Sequence, residues 1–452
     1  MWDSFIEAVT KINDWVNGVV WGWPMIIMIL GTGILLTIRT RLLQVRKFGE
    51  SMSSAIVPAV KDMGKKKGKK DKNSVSQFEA FSAAISGTVG TGNIIGVTSA
   101  ILTGGPGAVL WMWISAFFGM VTNYSENVLG LYYRKKEKDG SFSGGAFYYI
   151  AYGIKQRWLG MLAAIFCLLA AIGMSGVQTN KITGSYTAVL NNDSTAVKLI
   201  IGGIVAFFAA IVIIGGIKRI GRIASMLVPF MSLLFIAMAF VIIGKNHTAI
   251  PETFRLIFTS AFSSKAVAGG VGGFAFSQII KKGLARGVFS NEAGLGSSVI
   301  AHSASETREP VKQGLWGIFE VFFDTFVICT LTALVILTTN IGSGAYENGS
   351  FFGTTNAAGD FVGASDSATA LGAFSSNLGT FGTVTFLIIL PLFAFTTVLA
   401  WSYYGEKAVD FCFRHMPEKK RKIPVMIFKI LFILLIVFSS LIGSDLIWAL
   451  DD

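Results

Sequence analysis

The sequence predicts an all-α integral membrane protein, and three observations lead to that class. Hydrophobic residues make up 52% of the 452 residues and charged residues only 14%, against about 25% charged residues in a typical soluble domain. The apolar residues stand in long runs, and about 20 such residues let a helix cross the hydrocarbon layer. These runs do not alternate polar and apolar residues, so helices are the spanning elements that remain.

The apolar runs divide the chain into ten predicted spans. A helix merged into 158–190 would make eleven, so ten or eleven transmembrane helices are expected. An amphipathic helix at 1–17 is expected before the first span. The predicted spans are 18–40, 77–103, 108–133, 158–179, 196–217, 223–244, 265–288, 316–339, 381–406 and 423–442.

The basic residues are unevenly distributed between the connections. Blocks such as Lys65–Lys72, Lys281–Arg286 and Lys419–Lys422 alternate with connections such as 341–380, which has no Lys or Arg. Basic connections mark the cytoplasmic side. The pattern predicts a multi-pass cell-membrane protein with its N-terminus outside and a cytoplasmic segment at 41–76. The net charge of +12 is then attributed to membrane topology, with lipid and not nucleic acid as the partner; no obligate protein partner is inferred.

Two predicted spans carry glycine clusters at bilayer depth, at 86–93 and at 269–278. Glycine costs about 1 kcal/mol relative to alanine inside a helix, so each cluster indicates an interrupted helix. Close helix packing is the alternative for any single glycine. The clusters lie five helices apart, which predicts inverted repeats at 77–244 and 265–452, joined by an extracellular connection at 245–264. Paired interrupted spans of this kind mark transporter binding sites.

An interrupted helix provides groups that bind ions and small zwitterions. Its free amides suit a carboxylate, and its free carbonyls suit a cation. Thr88, Thr91 and Asn93 add the oxygen ligands that hard cations prefer. Thr396 and Thr397 lie in the apolar run 381–406, either as cation ligands or bonded back to their own helix.

Other residues allow fewer conclusions. Glu320 is read as a solvated or a functional carboxylate, and Asp324 as an ion ligand or as the partner of a group such as a lysine; Glu126 shares this ambiguity. No hydrolase or protease motif and no phosphate-binding glycine loop is present, so an enzyme is not expected. A channel is the weaker alternative, because paired broken helices in one chain favour alternating access.

Two longer motifs resemble a known family. The stretch 104–119, GGPGAVLWMWISAFFG, and the stretch 285–296, ARGVFSNEAGLG, are similar to signatures of the alanine or glycine:cation symporter family, and 87–93 resembles the first core helix of the leucine-transporter fold. The resemblance covers about 75–410. It implies a leucine-transporter-like five-plus-five inverted repeat with one extra N-terminal span, and Na⁺-coupled symport of alanine or glycine with no organic cofactor. The second motif resembles the family's cytoplasmic segment after the second broken helix.

The resemblance also implies site residues. The predicted sodium ligands are Ser86, Val89, Phe393, Thr396 and Thr397. The predicted substrate-binding residues are Thr88, Gly90, Thr91, Gly92, Asn93, Phe274, Phe276, Ser277 and Gln278. Bulky groups at the break (Phe274, Phe276 and Met174) are expected to restrict the pocket to side chains near the size of a methyl group.

Overall fold

The computed structural model describes residues 22–62, 75–262, 270–343, 353–355 and 361–441. Nearly all of these residues are helical, which confirms the all-α prediction; two short hairpins, β1–β2 (Lys135–Lys136 with Phe142–Ser143) and β3–β4 (Gly353–Thr355 with Phe361–Gly363), are the described strands. The helices α1 to α17 are Trp23–Arg39, Leu43–Arg46, Phe48–Asp62, Gln77–Thr88, Ile95–Gly104, Ala108–Tyr133, Ala146–Gly153, Arg157–Leu190, Thr195–Ile213, Gly216–Lys245, Ile250–Ala261, Gly270–Asn291, Ser298–His302, Pro310–Val321, Thr330–Gly342, Asp366–Cys412 and Glu418–Ser439.

Each of the ten predicted spans corresponds to a helix or a helix pair. By length and composition, six helical segments of the described residues can cross a membrane alone, and the bent pair α4–α5 makes a seventh. The long stretch at 158–190 is one helix, α8, of 34 residues, so no second helix is merged there. The expected helix at 1–17 lies outside the described residues. The two-repeat division stays a prediction.

Lipid exposure is visible on the outer faces of the spanning helices. Phe207 on α9 and Leu233 on α10 are 63% and 64% exposed, and Ile430 and Leu434 on α17 are likewise exposed. Large apolar side chains in this number on the outside of a protein require an apolar solvent. The inner faces bury small and polar residues together with large apolar ones such as Phe235 and Phe393.

The first predicted interruption is confirmed. Helix α4 begins with a capping box in which Ser76 accepts a hydrogen bond from the Glu79 amide and the Glu79 carboxylate accepts one from the Ser76 amide at 3.0 Å. It ends at Thr88, and α5 begins at Ile95 after one turn of 3₁₀ helix at Thr91–Asn93. The two halves meet at an angle of 55°.

The second predicted interruption, at 269–278, is wrong for its described part. Helix α12 is continuous from Gly270 to Asn291. The break follows at 292–297, where Glu292, Gly294 and Gly296 all have positive φ (55°, 97° and 71°), and α13 begins at Ser298. Glycine tolerates this left-handed backbone without a steric penalty. The glycines that unwind the chain are therefore those of the motif at 285–296.

Packing against α6 fixes the direction of α12. Gly283 and Gly287 of α12 lie against Ala108 and Ser115 of α6, and Lys282 lies against Gly104. We call this the Gly104 end of the molecule. The sequence predicts that Lys281–Arg286 belongs to the cytoplasmic basic blocks. The structure instead places Lys282 at the end opposite Val75, because α12 continues beyond it to Asn291 without the predicted interruption.

The opposite end, which we call the Val75 end, is tied together by backbone contacts. The Glu306 amide donates to the Val75 carbonyl at 2.8 Å. The Arg134 guanidinium donates to the carbonyls of Ser303, Ser305 and Thr307 at 3.1, 2.6 and 2.5 Å. Burial lowers the pKa of Arg134 to about 10. The chain after α13 is thus fixed between the start of α4 and the end of α6.

Candidate functional site

The unwound segment between α4 and α5 forms the centre of the site. The Asn93 Oδ1 atom accepts a hydrogen bond from the Gly90 amide at 2.8 Å, and Gln178 Oε1 on α8 accepts one from the Thr91 amide at 3.1 Å. Sequence reasoning assigns the Gly90 amide to a substrate carboxylate, but here a side chain satisfies it. A buried amide needs such a partner, and a carboxylate would have to displace it.

Asn93 also connects the first break to a buried carboxylate on another helix. Its Nδ2 atom lies 2.5 Å from Asp324 Oδ1 and 3.1 Å from the Ser290 hydroxyl. The hydroxyls of Ser290 and Thr325 both donate to Asp324 Oδ2 at 2.9 Å. Asp324 is completely buried. No lysine is among these hydrogen-bond partners, which are all neutral, and a bound cation would supply the missing positive charge.

The local backbone explains how Asp324 reaches the site. Residues Phe322–Cys329 form two turns of π-helix between α14 and α15, a rare distortion that is frequent at functional sites. Cys329 from the same segment also contacts the Ser290 hydroxyl, at 3.2 Å. Three separate elements (the first break, the end of α12 and this π-helix) therefore contribute to one polar cluster.

All five predicted sodium ligands are buried. The Thr397 hydroxyl donates to the Phe393 carbonyl at 3.0 Å, and the Thr396 hydroxyl donates to the same carbonyl at 3.0 Å and lies 3.6 Å from Met231 Sδ. Both threonines thus make the backward bonds expected from the alternative reading. Ser86 does the same, donating to Ala83 at 2.8 Å.

Thr397 nevertheless faces the break, because a Cβ at Gly90 would collide with its hydroxyl. For the amino-acid uptake that the resemblance implies, we expect Gly90→Ala to cause at least a tenfold reduction, a change of about 1.4 kcal/mol, since overpacking costs about 1–3 kcal/mol. Gly96→Ala is the matched control, as nothing lies within 4 Å of its added Cβ. Equal uptake by the two variants in proteoliposomes would contradict a tight Gly90–Thr397 contact.

The predicted substrate residues separate into two groups. Thr88, Gly90, Thr91, Gly92 and Asn93 all lie at the first break, and the buried Thr91 hydroxyl has no hydrogen-bond partner, so it is available to a ligand. Ser277 and Gln278 lie on the continuous helix α12, twelve or more residues before Ser290, which is about 18 Å along a helix. The structure does not bring these two to the break. The side chains of Phe274 and Phe276, on the same helix, lie outside the described residues.

Sequence reasoning missed residues that the structure brings to the site. Phe289 lies 3.7 Å from where a Cβ of Gly92 would stand, and Gln178 holds the Thr91 amide. The Trp401 indole donates to Glu292 at 3.1 Å. Ser290 and Glu292 belong to the motif at 285–296, which resembles a segment beyond the broken helix in the family. Of these residues, Gln178 could have been identified from the sequence, because an amide side chain at bilayer depth indicates a functional position.

The second break is stabilised by two carboxylates. Glu292 accepts hydrogen bonds from the Ser297 hydroxyl and from Trp401. Glu126 on α6 accepts one from the Gly294 amide at 3.2 Å, which accounts for the residue that the sequence leaves ambiguous. A cavity of about 560 Å³ borders this break, lined mostly by apolar groups that include Met174, Phe289 and Trp401. Polar backbone and an apolar wall meet here, as in sites for small organic ligands.

The chain has close relatives over nearly its full length. It is 37% identical over 452 residues to the "Sodium/alanine symporter AgcS" of Methanococcus maripaludis, covering 99% of this chain and 91% of the relative. It is 36% identical over 446 residues to an "Uncharacterized transporter" of Haemophilus influenzae (98% and 90%). It is 35% identical over 437 residues to the "Probable sodium/glutamine symporter GlnT" of Bacillus subtilis (96% and 83%).

Solved structures show the same fold at low identity. The transporter MhsT, in complex with L-phenylalanine, superposes with a TM-score of 0.56 at 16% identity, covering 82% of this chain and 81% of that one. A Na⁺-coupled sialic acid symporter gives 0.52 at 13% identity (87% and 79%). These likenesses confirm the leucine-transporter fold.

The family and its structural neighbours are transporters and not enzymes, and the spanning helices make this chain a multi-pass membrane protein. The family model that matches the chain, over residues 6–452, is that of the sodium:alanine symporter family. The chain belongs to the sodium:alanine symporter family.

Proposed function

We propose that this protein is a secondary active transporter that couples the entry of Na⁺ to that of small neutral amino acids, alanine and glycine first, by alternating access. The observation that carries the proposal is the first break, where Asn93, Gln178 and Thr397 from three helices converge on unwound backbone. In the cell membrane we place the Val75 end in the cytoplasm and the N-terminus outside, following the distribution of basic residues.

We assign sodium to two places beside the first break. One is the predicted set Ser86, Val89, Phe393, Thr396 and Thr397. The buried position of these residues and the approach of Thr397 to Gly90 support this set, and a threonine hydroxyl that donates to the Phe393 carbonyl keeps its lone pairs for a cation. The other is the Asp324 cluster, whose carboxylate and hydroxyl oxygens are ligands that hard cations prefer.

The basic test is uptake by the purified protein in proteoliposomes. Labelled alanine should accumulate above its external concentration when an inward Na⁺ gradient is imposed. Replacement of Na⁺ by K⁺, with a pH gradient in its place, should abolish accumulation. Uptake that persists under that replacement would overturn sodium coupling, and uptake without accumulation against a gradient would indicate a channel.

The substrate class rests on the bulky groups at the breaks. Phe289 closes against Gly92, and Met174 and Trp401 line the neighbouring cavity. We expect leucine and phenylalanine to compete with labelled alanine at least tenfold more weakly than unlabelled alanine, since overpacking costs about 1–3 kcal/mol. Phe289→Ala should narrow this difference. Equal competition by leucine in the unaltered protein would show a larger pocket.

Glutamine is the second candidate substrate. It is favoured by the relative named as a sodium/glutamine symporter and by a cavity volume of about 560 Å³ beside the second break. The same competition panel distinguishes the two, because a glutamine carrier should be inhibited more strongly by glutamine than by glycine.

A further inference from the structure

A buried histidine, carboxylate and amide lie on the Val75 side of the second break. His302, the last residue of α13, has its Nε2 atom 2.8 Å from Glu320 Oε2 on α14. Its Nδ1 atom lies 2.7 Å from Nε2 of Gln313, also on α14. All three side chains are completely buried. From the sequence, Glu320 could be either a solvated or a functional carboxylate. Its complete burial shows that it is not solvated.

In the described part of the chain, no Lys or Arg side chain is bonded to this pair; the Arg134 guanidinium, at the end of α6, is bonded to the backbone carbonyls of Ser303, Ser305 and Thr307. The described titratable groups that interact electrostatically with Glu320 include Glu126 on α6, Glu292 in the second break, Asp324 in the π-helix and Tyr404 on α16. All of these are acidic.

Two further helices packed against the pair, α4 and α3, carry charged side chains whose bonds the structure describes. On α4, the Phe81 ring lies 6.4 Å from the His302 ring, and Glu79 is held by Ser76. On α3, Glu50 pairs with Lys47 at an exposed position. A carboxylate buried among other acids is costly unless a cation neutralises it, and the imidazole is the group in contact that can accept a proton to do so.

The hydrogen bonds of the triad fit two protonation states. When the imidazole is neutral, the Gln313 amide nitrogen donates to Nδ1, and Nε2–H donates to Glu320. When the imidazole gains a proton, Nδ1–H needs an acceptor, which rotation of the Gln313 amide would supply through Oε1. That oxygen and Glu320 Oε1 are both buried and have no hydrogen-bond partner in the structure described here. The side chains therefore keep unused acceptors for one more proton.

We propose that His302 and Glu320 form a proton-binding site that is loaded while the Val75 end is closed and must unload for this end to open. The imidazolium–carboxylate pair is neutral overall and suits the sealed state, whereas the deprotonated pair leaves a buried charge that favours opening to water. The link to opening rests on the proposed transport function: α13, at the second broken helix, packs against α4, α6 and α16 and is bonded to α14 through His302.

The sign of the effect follows from this balance. As pH rises and the proton leaves, the closed state loses stability and the Val75 end opens more readily, so alanine uptake at saturating Na⁺ should rise. We expect Glu320→Gln to reduce the change of alanine uptake with pH at least threefold, because an amide has no charge to neutralise. His302→Gln/Glu320→Gln should give the same flat profile. Glu309→Gln is the matched control, since Glu309 is exposed and pairs with Lys312, and it should keep the original profile.

The experiment measures initial uptake from about pH 5 to about pH 8, and thermal unfolding of the purified protein over the same interval without substrate. The unfolding temperature of the unaltered protein should fall more steeply with pH than that of Glu320→Gln. Parallel unfolding curves would overturn the proton site even if uptake failed altogether. If the unfolding temperature of the unaltered protein falls more steeply with pH than that of Glu320→Gln but no amino acid is taken up, the transport function alone would be overturned.

Discussion

Replacing Asp324 with Asn is expected to raise the half-saturating sodium concentration for uptake at least a hundredfold, or to abolish uptake. The carboxylate receives hydrogen bonds from Asn93, Ser290 and Thr325 and is the only charge among these four side chains. Removing that charge removes the strongest attraction that the cluster offers a cation. A hundredfold change corresponds to about 2.7 kcal/mol, which is reasonable for a buried charged ligand. Uptake of labelled alanine across a sodium titration measures it.

The folded state should respond differently from transport. Because removing a buried charge can leave stability unchanged or increase it, Asp324→Asn should unfold at the same temperature or higher in the absence of Na⁺. Sodium should raise that temperature in the unaltered protein, as any ligand of the native state does, and much less in the variant. The exchange Asn93→Asp with Asp324→Asn, which keeps one carboxylate and one amide, should restore part of the sodium response. An unchanged sodium curve in the single variant would remove Asp324 from the ion site.

The second large effect is expected from Thr396 and Thr397 replaced together by valine. Valine keeps the shape of threonine but removes its hydroxyl, so two of about five sodium ligands would be lost. At about 1.4 kcal/mol for each oxygen, the half-saturating sodium concentration should rise about a hundredfold. The measurement is again alanine uptake across a sodium titration, with the amount of folded protein in the membrane determined in parallel.

The single variants separate ligand binding from helix structure. Thr397 faces Gly90 at the break, whereas Thr396 lies beside Met231. Thr397→Val alone should therefore raise the half-saturating sodium concentration more than Thr396→Val alone. If both hydroxyls only bond back to the Phe393 carbonyl, the exchange should be nearly neutral, because such bonds slightly destabilise a helix. A double variant with the sodium dependence of the unaltered protein would favour that purely local role.

Several features were predictable from local sequence. The apolar runs determined the membrane class, since water cannot solvate so many of them. The cluster at 86–93 determined the first break, because three glycines and several hydroxyls within eight residues make an uninterrupted helix costly. Thr397, Gly90 and Asn93 were found for the same reason, as they are polar or small residues at bilayer depth.

The location of the second break was not determined by glycine content. The glycines at 270–273 lie inside a helix that continues to Asn291, whereas Glu292, Gly294 and Gly296 adopt left-handed backbone. Glycine permits unwinding, but the freed backbone groups must find partners. At the second break Glu126 supplies one from another helix, and a distant contact of this kind leaves no local pattern.

The sequence by itself therefore determined the solvent of this protein, its helices and the segment most able to unwind. The tertiary structure decided which groups meet there: Gln178 with Thr91, Asp324 with Asn93, and His302 with Glu320. Asn93 and Asp324 are 231 positions apart. Periodicity reports only the neighbours within one helix, and the partners of a buried polar group are set by how separate helices pack.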